Sequence, residues 1–303
     1  MGGASVVPES VEGLVSFRRA LRRASAELSR ALPWIGLEDP WAILVSEVML
    51  QQTSTLRVRE PWRAFLQRFP DPPSCARAPL ADVLRLWSGL GFPRRAKALH
   101  DTARILTRHH GGSVPSRVED LLALPGVGPY TAHAVASFAF HQRVAVLDTN
   151  VGRVLARAVA NHSLTPSAAQ ALATALLPRD RVAAFNQAML DLGAQFCRAT
   201  PRCGGCPLAG HCRWRREGGD DPAPRSAGVS RTQARFTGSD RQVRGGIMKC
   251  LGTGAMSPHH LRRALSDFDA LRVTTLVDDL IRDGLLEQRD GLVGLSGDGG
   301  ASR

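Results

Sequence analysis

Apolar side chains recur every three to four positions from about residue 11 to residue 196, the spacing of helices that bury one face. The pattern predicts an arginine-rich amphipathic helix over 11–31. It predicts a buried helix over 39–52 (DPWAILVSEVMLQQ), with Asp39 as cap and Pro40 in the first turn. Further helices are predicted over 58–69, 78–88 and 93–110, with Gly89 and Gly91 breaking the chain between the last two. Two more, 117–124 and 129–140, flank a tight PGVG turn, and others follow over 150–161, 166–177 and 181–196. No run of alternating apolar and polar residues precedes the cysteines, so the body is expected to be all-α.

The texture changes after Cys212. Residues 215–240 are rich in Gly, Pro, Ser and Asp and read as a linker. Helical periodicity returns over 241–251, 257–266 and 270–286, and EQRDGLVGLS places a D-G turn between two short strand-like pieces. Three helices and a hairpin suggest a small winged-helix-like module over 241–303; a helical tail packed on the main body is the alternative. The expected organisation is a body over 1–214, the linker 215–240, and this module. Within the body, a six-helix subdomain covers about 40–150. A second subdomain joins the N-terminal helix to about 151–214.

At 44% hydrophobic and 22% charged over 303 residues, wholesale disorder is excluded. No stretch approaches the roughly 20 apolar residues that span a bilayer. The N-terminal MGGASVVPES lacks a basic segment followed by an apolar run, so no secretory signal is expected. These features predict a soluble, cytoplasmic, nucleoid-associated protein without membrane contact. The formal charge is +12, from 39 basic and 27 acidic residues, and lysine occurs only at Lys97 and Lys249. Arginine's planar fork suits phosphate, and a pI near 10.9 points to nucleic acid as partner. A GC-rich genome writing arginine at ordinary surface positions is the competing explanation. So few lysines leave few candidates for Schiff-base chemistry.

Three constellations carry chemistry. In LPGVGPYTAHAVASFAF (124–140), Gly126 and Gly128 bracket Val127 between two helices, a turn whose backbone N–H groups and following helix dipole can hold a phosphate without reading sequence. Glu47 lies inside AILVSEVML, with Ile43, Leu44, Leu50 and Gln51 one turn away. A carboxyl on such a surface loses hydration and should keep its proton, as a general acid does. Asp148, in VAVLDTNVGRVLARAV, precedes a helix whose N-terminus favours its ionised form; simple capping explains it equally. One protonated and one ionised carboxyl form the pattern of glycoside hydrolysis. Lastly, Cys197-x5-Cys203-x2-Cys206-x5-Cys212 places four thiols within sixteen residues, which favours a metal centre over disulfides and leaves zinc and iron–sulfur both open.

Together these strings resemble the helix-hairpin-helix (HhH-GPD) superfamily of DNA glycosylases. SEVMLQQT (46–53) is similar to the signature of its MutY-type adenine glycosylases. LPW (32–34), LWSGLGFPRRAKAL (86–99), LPGVGPYT (124–131) and LDTNVGRV (147–154) follow in the family's order, so the resemblance spans about residues 20–213. It implies a base-excision enzyme that removes adenine mispaired with 8-oxoguanine or guanine in double-stranded DNA, acting as a monomer. Glu47 would protonate adenine N7, Asp148 would stabilise the sugar cation or bond to C1′, and Asn150 and Tyr130 would support them. Where bifunctional relatives carry a lysine this chain has Tyr130, which cannot form an imine, so strand cleavage is not expected. Gln51 and Gln52 match the wedge that fills the gap left by the extruded base, and Phe92 the stacking residue beside the oxidised guanine. Trp34, Gly126, Gly128, Thr131 and Gln187 complete the implied substrate- and DNA-binding set. Arg94, Arg95 and Lys97 are expected on the phosphate backbone, as are Arg198, Arg202 and Arg213. The four cysteines would hold a [4Fe–4S] cluster, with zinc as the alternative.

The chain departs from the family pattern in places. Ile35 follows LPW where relatives often have arginine, Gln187 stands for a frequent glutamate, and the first cysteine gap has five residues instead of six. Nothing after 215 resembles the separate 8-oxoguanine-reading domain of longer relatives. A thymine or uracil mismatch glycosylase of the same fold and a catalytically silent duplex-binding protein remain the alternatives.

Overall fold

The computed structural model describes residues 11–226 and 235–298. Its contacts divide the chain into two units. One, here the hairpin unit, joins Leu32–Thr131 to the chain from Thr232 onward; the other, the cysteine unit, joins the chain up to Ala31 to Ala132–Arg231.

The hairpin unit is organised by α2 (Pro40–Leu50). The Asp39 carboxylate accepts from Trp41 N and Ala42 N, and Pro40 occupies the first turn, where its missing N–H costs nothing. Every residue from Trp41 to Met49 is buried, so α2 is a central helix covered all round. Around it lie α3 (Thr55–Arg68), α4 (Pro72–Arg77), α5 (Leu80–Leu86), α6 (Arg94–His109) and α7 (Val118–Leu122). Aromatic rings fill the space between them. Trp34 meets Trp62 edge-on at 5.9 Å, and Phe65 meets Phe69 at 5.1 Å. The indoles of Trp41, Trp62 and Trp87 donate to Phe69 O, Ala42 O and Gly91 O, so these polar edges are satisfied. The sequence pattern gave no helix at α4, because its leading Pro72-Pro73 reads as a breaker. There the prolines begin a helix instead, closed by a capping box between Asp71 and Ser74.

The C-terminal part of this unit has its own core of Val243, Ile247, Leu251, Leu261, Val273, Leu276, Leu280 and Val293. Helices α13 (Asp240–Gly252), α14 (Pro258–Ala264) and α15 (Ala270–Arg282) precede the antiparallel strands β1 (Leu286–Arg289) and β2 (Leu292–Leu295). Met256, between α13 and α14, pairs with Val293 through two 2.9 Å backbone bonds. That order is the winged-helix topology expected from the sequence. The turn uses Asp290 and Gly291, both at positive φ, as a tight hairpin with right-handed strand twist requires.

In the cysteine unit, α1 (Val11–Leu28) packs on α11 (Val182–Gln195). Arg30 Nε pairs with Asp191 at 2.5 Å and Gln195 donates to Leu28 O. The unit also holds α8 (Pro129–Phe138) from Ala132 onward, α9 (Thr149–Val154), α10 (Pro166–Leu176) and α12 (Arg213–Glu217). The helix expected over 150–161 changes character midway: Leu155–Ala160 is a π-helical turn ending at Asn161 with φ 56°. Residues 215–226, whose composition reads as a linker, pack against this unit through Asp221 and Ser226; the remainder to 234 lies outside the described residues.

Two glycines give opposite expectations. At Gly193 of α11 an added Cβ would lie 2.6 Å from the backbone oxygen of Asn150, so Gly193→Ala should destabilise the fold by about 1–3 kcal/mol. At exposed Gly245 of α13 nothing lies within 4 Å, and Gly245→Ala should stabilise by roughly 0.5–1 kcal/mol. Denaturant midpoints of the two variants check both signs.

Candidate active site and cysteine centre

In the hairpin unit, Glu47 sits on the central helix with 5% of its surface exposed. Trp34, also placed in the substrate set by sequence, is 8% exposed and belongs to the aromatic packing beneath α2. The wedge pair divides. Gln51 turns toward the hairpin, its amide donating to Gly126 O at 3.1 Å and to Thr131 Oγ1 at 3.2 Å. Gln52 is exposed at the tip, with φ 58°. Thr131, 2% exposed, is therefore an internal tether and not an outward DNA contact.

The turn Leu124–Gly128 explains its own glycines. Gly126 has φ 74°, and a Cβ there would come within 2.8 Å of Ala98 on α6. Gly128 meets nothing within 4 Å, which leaves open surface at the start of α8. Tyr130 stands half-buried in the first turn of that helix. The arrangement can hold an anion on backbone N–H groups.

Arg95 overturns the expectation of a phosphate contact. Its guanidinium turns inward, where Nη1 donates to Val48 O, Met49 O and Gln51 O, and Nη2 to Thr53 Oγ1, Leu90 O and Gly91 O. Both Nη groups are committed to the chain and the remaining Nε–H is buried without a partner, so no donor is turned outward to DNA. Burial, reinforced by the neighbouring Arg57 charge, pulls its pKa down to about 10. The same guanidinium lies 5.4 Å from the ring centre of Phe92. Phe92 is 38% exposed and holds φ 49°, so the Gln52 and Phe92 tips are two left-handed, non-glycine positions joined through one cation.

In the cysteine unit, Asp148 caps α9, accepting from Val151 N at 2.7 Å and from Asn150 Nδ2 at 2.6 Å. Asn150 Oδ1 accepts in turn from Arg153, whose Nε donates to Cys197 O at 2.6 Å and whose Nη2 reaches Gly193 O. One chain of hydrogen bonds thus runs from the carboxylate to the first cysteine. Capping alone would keep Asp148 ionised, as the sequence suggested. Burial instead pushes its pKa above the ordinary range, against the pull of Val151 N–H, Asn150 and Arg153. On α11, Gln187 donates to Asp191 at 3.0 Å, tying its amide nitrogen to the Arg30 ion pair.

All four cysteines line one cavity, with Val154, Leu192 and Leu208 among its apolar walls and about 420 Å³ of empty space, its open mouth included. Arg157, fully buried, extends along this wall. Its Nη1 lies 3.6 Å from Cys197 Sγ and donates to Arg198 O, its fork grips Asp221 at 2.6–2.7 Å, and its charge lies 5.7 Å from the Trp214 ring. Burial opposes this cation, yet Asp221 and Cys197 hold its pKa above the usual value. Among the described residues no group of three His, Cys, Asp or Glu is set to hold a single metal ion. Arg198 and Arg202 are exposed beside the cysteines, whereas Arg213, expected on DNA, pairs with Glu217 and donates to Ala160 O.

Residues 45–179 match the model of the HhH-GPD superfamily base excision DNA repair protein. An adenine DNA glycosylase of Mycolicibacterium smegmatis is 44% identical over 285 residues, covering 90% of this chain and 94% of the relative. The chain belongs to the adenine DNA glycosylase family. The adenine DNA glycosylase of Mycobacterium tuberculosis H37Rv is likewise 44% identical, over 89% of this chain and 90% of its own. A thermostable thymine-DNA glycosylase superposes with a TM-score of 0.63 at 27% identity, covering 68% of this chain and 98% of that one. An endonuclease III–DNA complex, with a TM-score of 0.55 at 23% identity over 66% of this chain and 97% of that one, shares the fold.

Motif and periodicity left Arg153, Arg157 and Gly193 unmarked, although the first two reach Asn150 and Cys197 and the third lies against Asn150. Arginines at 153 and 157 fall four apart on an otherwise apolar helix, and this spacing is the signal that could have drawn attention to them. Asp148 gives a pH expectation. Because its folded pKa is raised, its contribution to stability is fully present below the ordinary aspartate value of 3.8 and is lost as pH rises through the folded value. The unfolding free energy of Asp148→Asn, measured against wild type from pH 4 to 7, should therefore gain on wild type as pH rises.

Proposed function

We propose that this protein is a monofunctional DNA N-glycosylase that releases adenine mispaired with 8-oxoguanine or guanine. What carries the reading is an adenine-glycosylase match extending over nine-tenths of the chain, in a sequence that retains both Glu47 and Asp148. Glu47 gives a proton to adenine N7. The C1′–N9 bond breaks, and the base leaves with the bonding electron pair. The cation formed at C1′ is faced by Asp148, and a positive charge developing beside that carboxyl favours its ionised form despite burial. Water then adds to C1′ and loses a proton, which completes hydrolysis. Asn150 orients Asp148, and Tyr130 supports the site without an amine that could attack the sugar.

Duplex DNA carrying the mismatch is the partner, bound by one monomer. The Gly126–Gly128 turn holds a phosphate, Gln52 fills the space vacated by the extruded base, Phe92 stacks beside the opposing oxidised guanine, and Gln187 and Trp34 belong to the substrate-binding set. No helix among the described residues is long and apolar enough to cross a membrane, and the protein acts where the chromosome is.

The donor set fits a [4Fe–4S] cluster. All four thiols line one apolar-walled cavity beside Arg157, which suits a cluster held by four cysteine thiolates. Cys197, Cys203, Cys206 and Cys212 would be its ligands, with the Arg157 N–H directed at Cys197 Sγ. The cluster's role is structural, tying the segment after α11 to the unit.

Single-turnover assays on A:8-oxoguanine, A:G, T:G and U:G duplexes should show adenine release from the first two and an uncut strand until alkali is added. Thymine or uracil release alone would overturn the reading, as would tight binding without release. Glu47→Gln should bind these duplexes and lose at least about 100-fold in release. The purified protein should contain iron and acid-labile sulfide in equal amounts; stoichiometric zinc would count against the cluster.

A further inference from the structure

The adenine-release reading leaves the C-terminal winged module without a task. Its contacts single out one loop. Residues 87–93 connect α5 to α6 and carry Phe92 at their tip. The side of this loop nearest α2 and α3 is held by Arg95, by Thr53 Oγ1 donating to Leu90 O at 3.2 Å, and by Arg57 donating to Gly89 O. The module holds both stems. On α5, Arg85 Nε donates to Gly252 O at 3.1 Å, and the same guanidinium pairs with Asp298. On α6, Arg94 makes a two-pronged pair with Asp283, at 2.6 and 2.5 Å.

Asp283 is the informative member. It caps the C-terminus of α15, where the helix dipole disfavours an acid. It is only 18% exposed, against 72% for Arg94. An exposed arginine beginning α6, two residues after Phe92, would suit a phosphate; this one is instead committed to a mostly covered carboxylate. The carboxylate sits against its local preference, and Arg94 is what compensates it.

We propose that the winged module is a brace for the Phe92 loop, and that Asp283 is a positioning residue that sets preference for the base opposite adenine. The proposal rests on the adenine-glycosylase reading. A side chain can discriminate 8-oxoguanine from guanine by stacking only if its position in the duplex is fixed, because the two purines present nearly equal π-faces. Phe92 has a strained backbone and no hydroxyl to anchor it, so its placement depends on Arg95 beneath the tip and on the loop stems.

The test uses the full chain with Asp283→Arg and with the reversed pair Arg94→Asp/Asp283→Arg. Single-turnover adenine release is followed on A:8-oxoguanine and A:G duplexes at subsaturating and saturating enzyme. Asp283→Arg should reduce the preference for 8-oxoguanine about tenfold at subsaturating enzyme, with the saturating rate kept within about twofold. The reversed pair should restore the preference. Unchanged preference in Asp283→Arg, an equal loss on both duplexes, or a reversed pair that fails to recover would each overturn the proposal. If Asp283→Arg does not fold, Asp283→Asn takes its place with the same readings. Failure of wild-type protein to release adenine from either duplex would instead overturn the underlying activity.

Discussion

A guanidinium buried in a protein must spend its donors on fixed oxygens, and this chain uses that demand to fix its irregular segments. In the hairpin unit, Arg95 gathers carbonyls from the end of α2 and from the loop after α5. Segments with no regular hydrogen-bond ladder of their own are closed around one cation. In the cysteine unit, Arg157 does the same for the segment after Cys197 and for Asp221, and Arg153 joins Asn150 to Cys197. A lysine could not replace any of them, since one ammonium point cannot serve several divergent acceptors in a plane. The scarcity of lysine thus has a structural counterpart within the fold as well as a chemical one at Tyr130.

This changes the meaning of the +12 charge. Read as composition, every arginine counts toward a polyanion. Read with the structure, Arg95, Arg153 and Arg157 face inward, and Arg94 and Arg213 are engaged by carboxylates. Net charge still favours nucleic acid, because the sum is independent of where a pair forms. The local phosphate contacts cannot be read from arginine positions alone. On the proposed reading they fall to backbone N–H groups at the Gly126–Gly128 turn and to arginines such as Arg198 and Arg202, which are exposed.

Helix positions were legible where periodicity was strong and caps were explicit: α2, with Asp39 and Pro40, begins where the sequence placed it. The winged module was legible because Asp290-Gly291 admits one kind of tight turn between short strands. The π-turn at Leu155–Ala160 was not, since a widened turn has the same apolar spacing as an α-helical one and differs only in which carbonyl each N–H reaches. Among site residues, the chemistry-bearing types were legible, but orientation was not. Gln51 and Gln52 are identical letters in one motif, and the fold sends one into the hairpin and the other to a tip. The same blindness put Arg95 on DNA: its neighbours in sequence are those of a solvated helix start, and three of the five carbonyls that claim it, Val48, Met49 and Gln51, are more than forty residues away.

Strain and burial meet at the residues assigned to the reaction. Gln52 and Phe92 adopt left-handed backbone angles that only surrounding structure can enforce, and Asp148 keeps a carboxyl where water is scarce. Each is unfavourable locally and is held by an arginine: Arg95 for the two tips, Arg153 through Asn150 for the acid. A fold selected for stability alone would relax such positions to glycine at the tips and to an amide at the cap. Their retention fits a reaction in which stacking energy comes from a ring kept rigid before the duplex arrives, and in which a poorly solvated carboxylate gains most when a cation forms beside it.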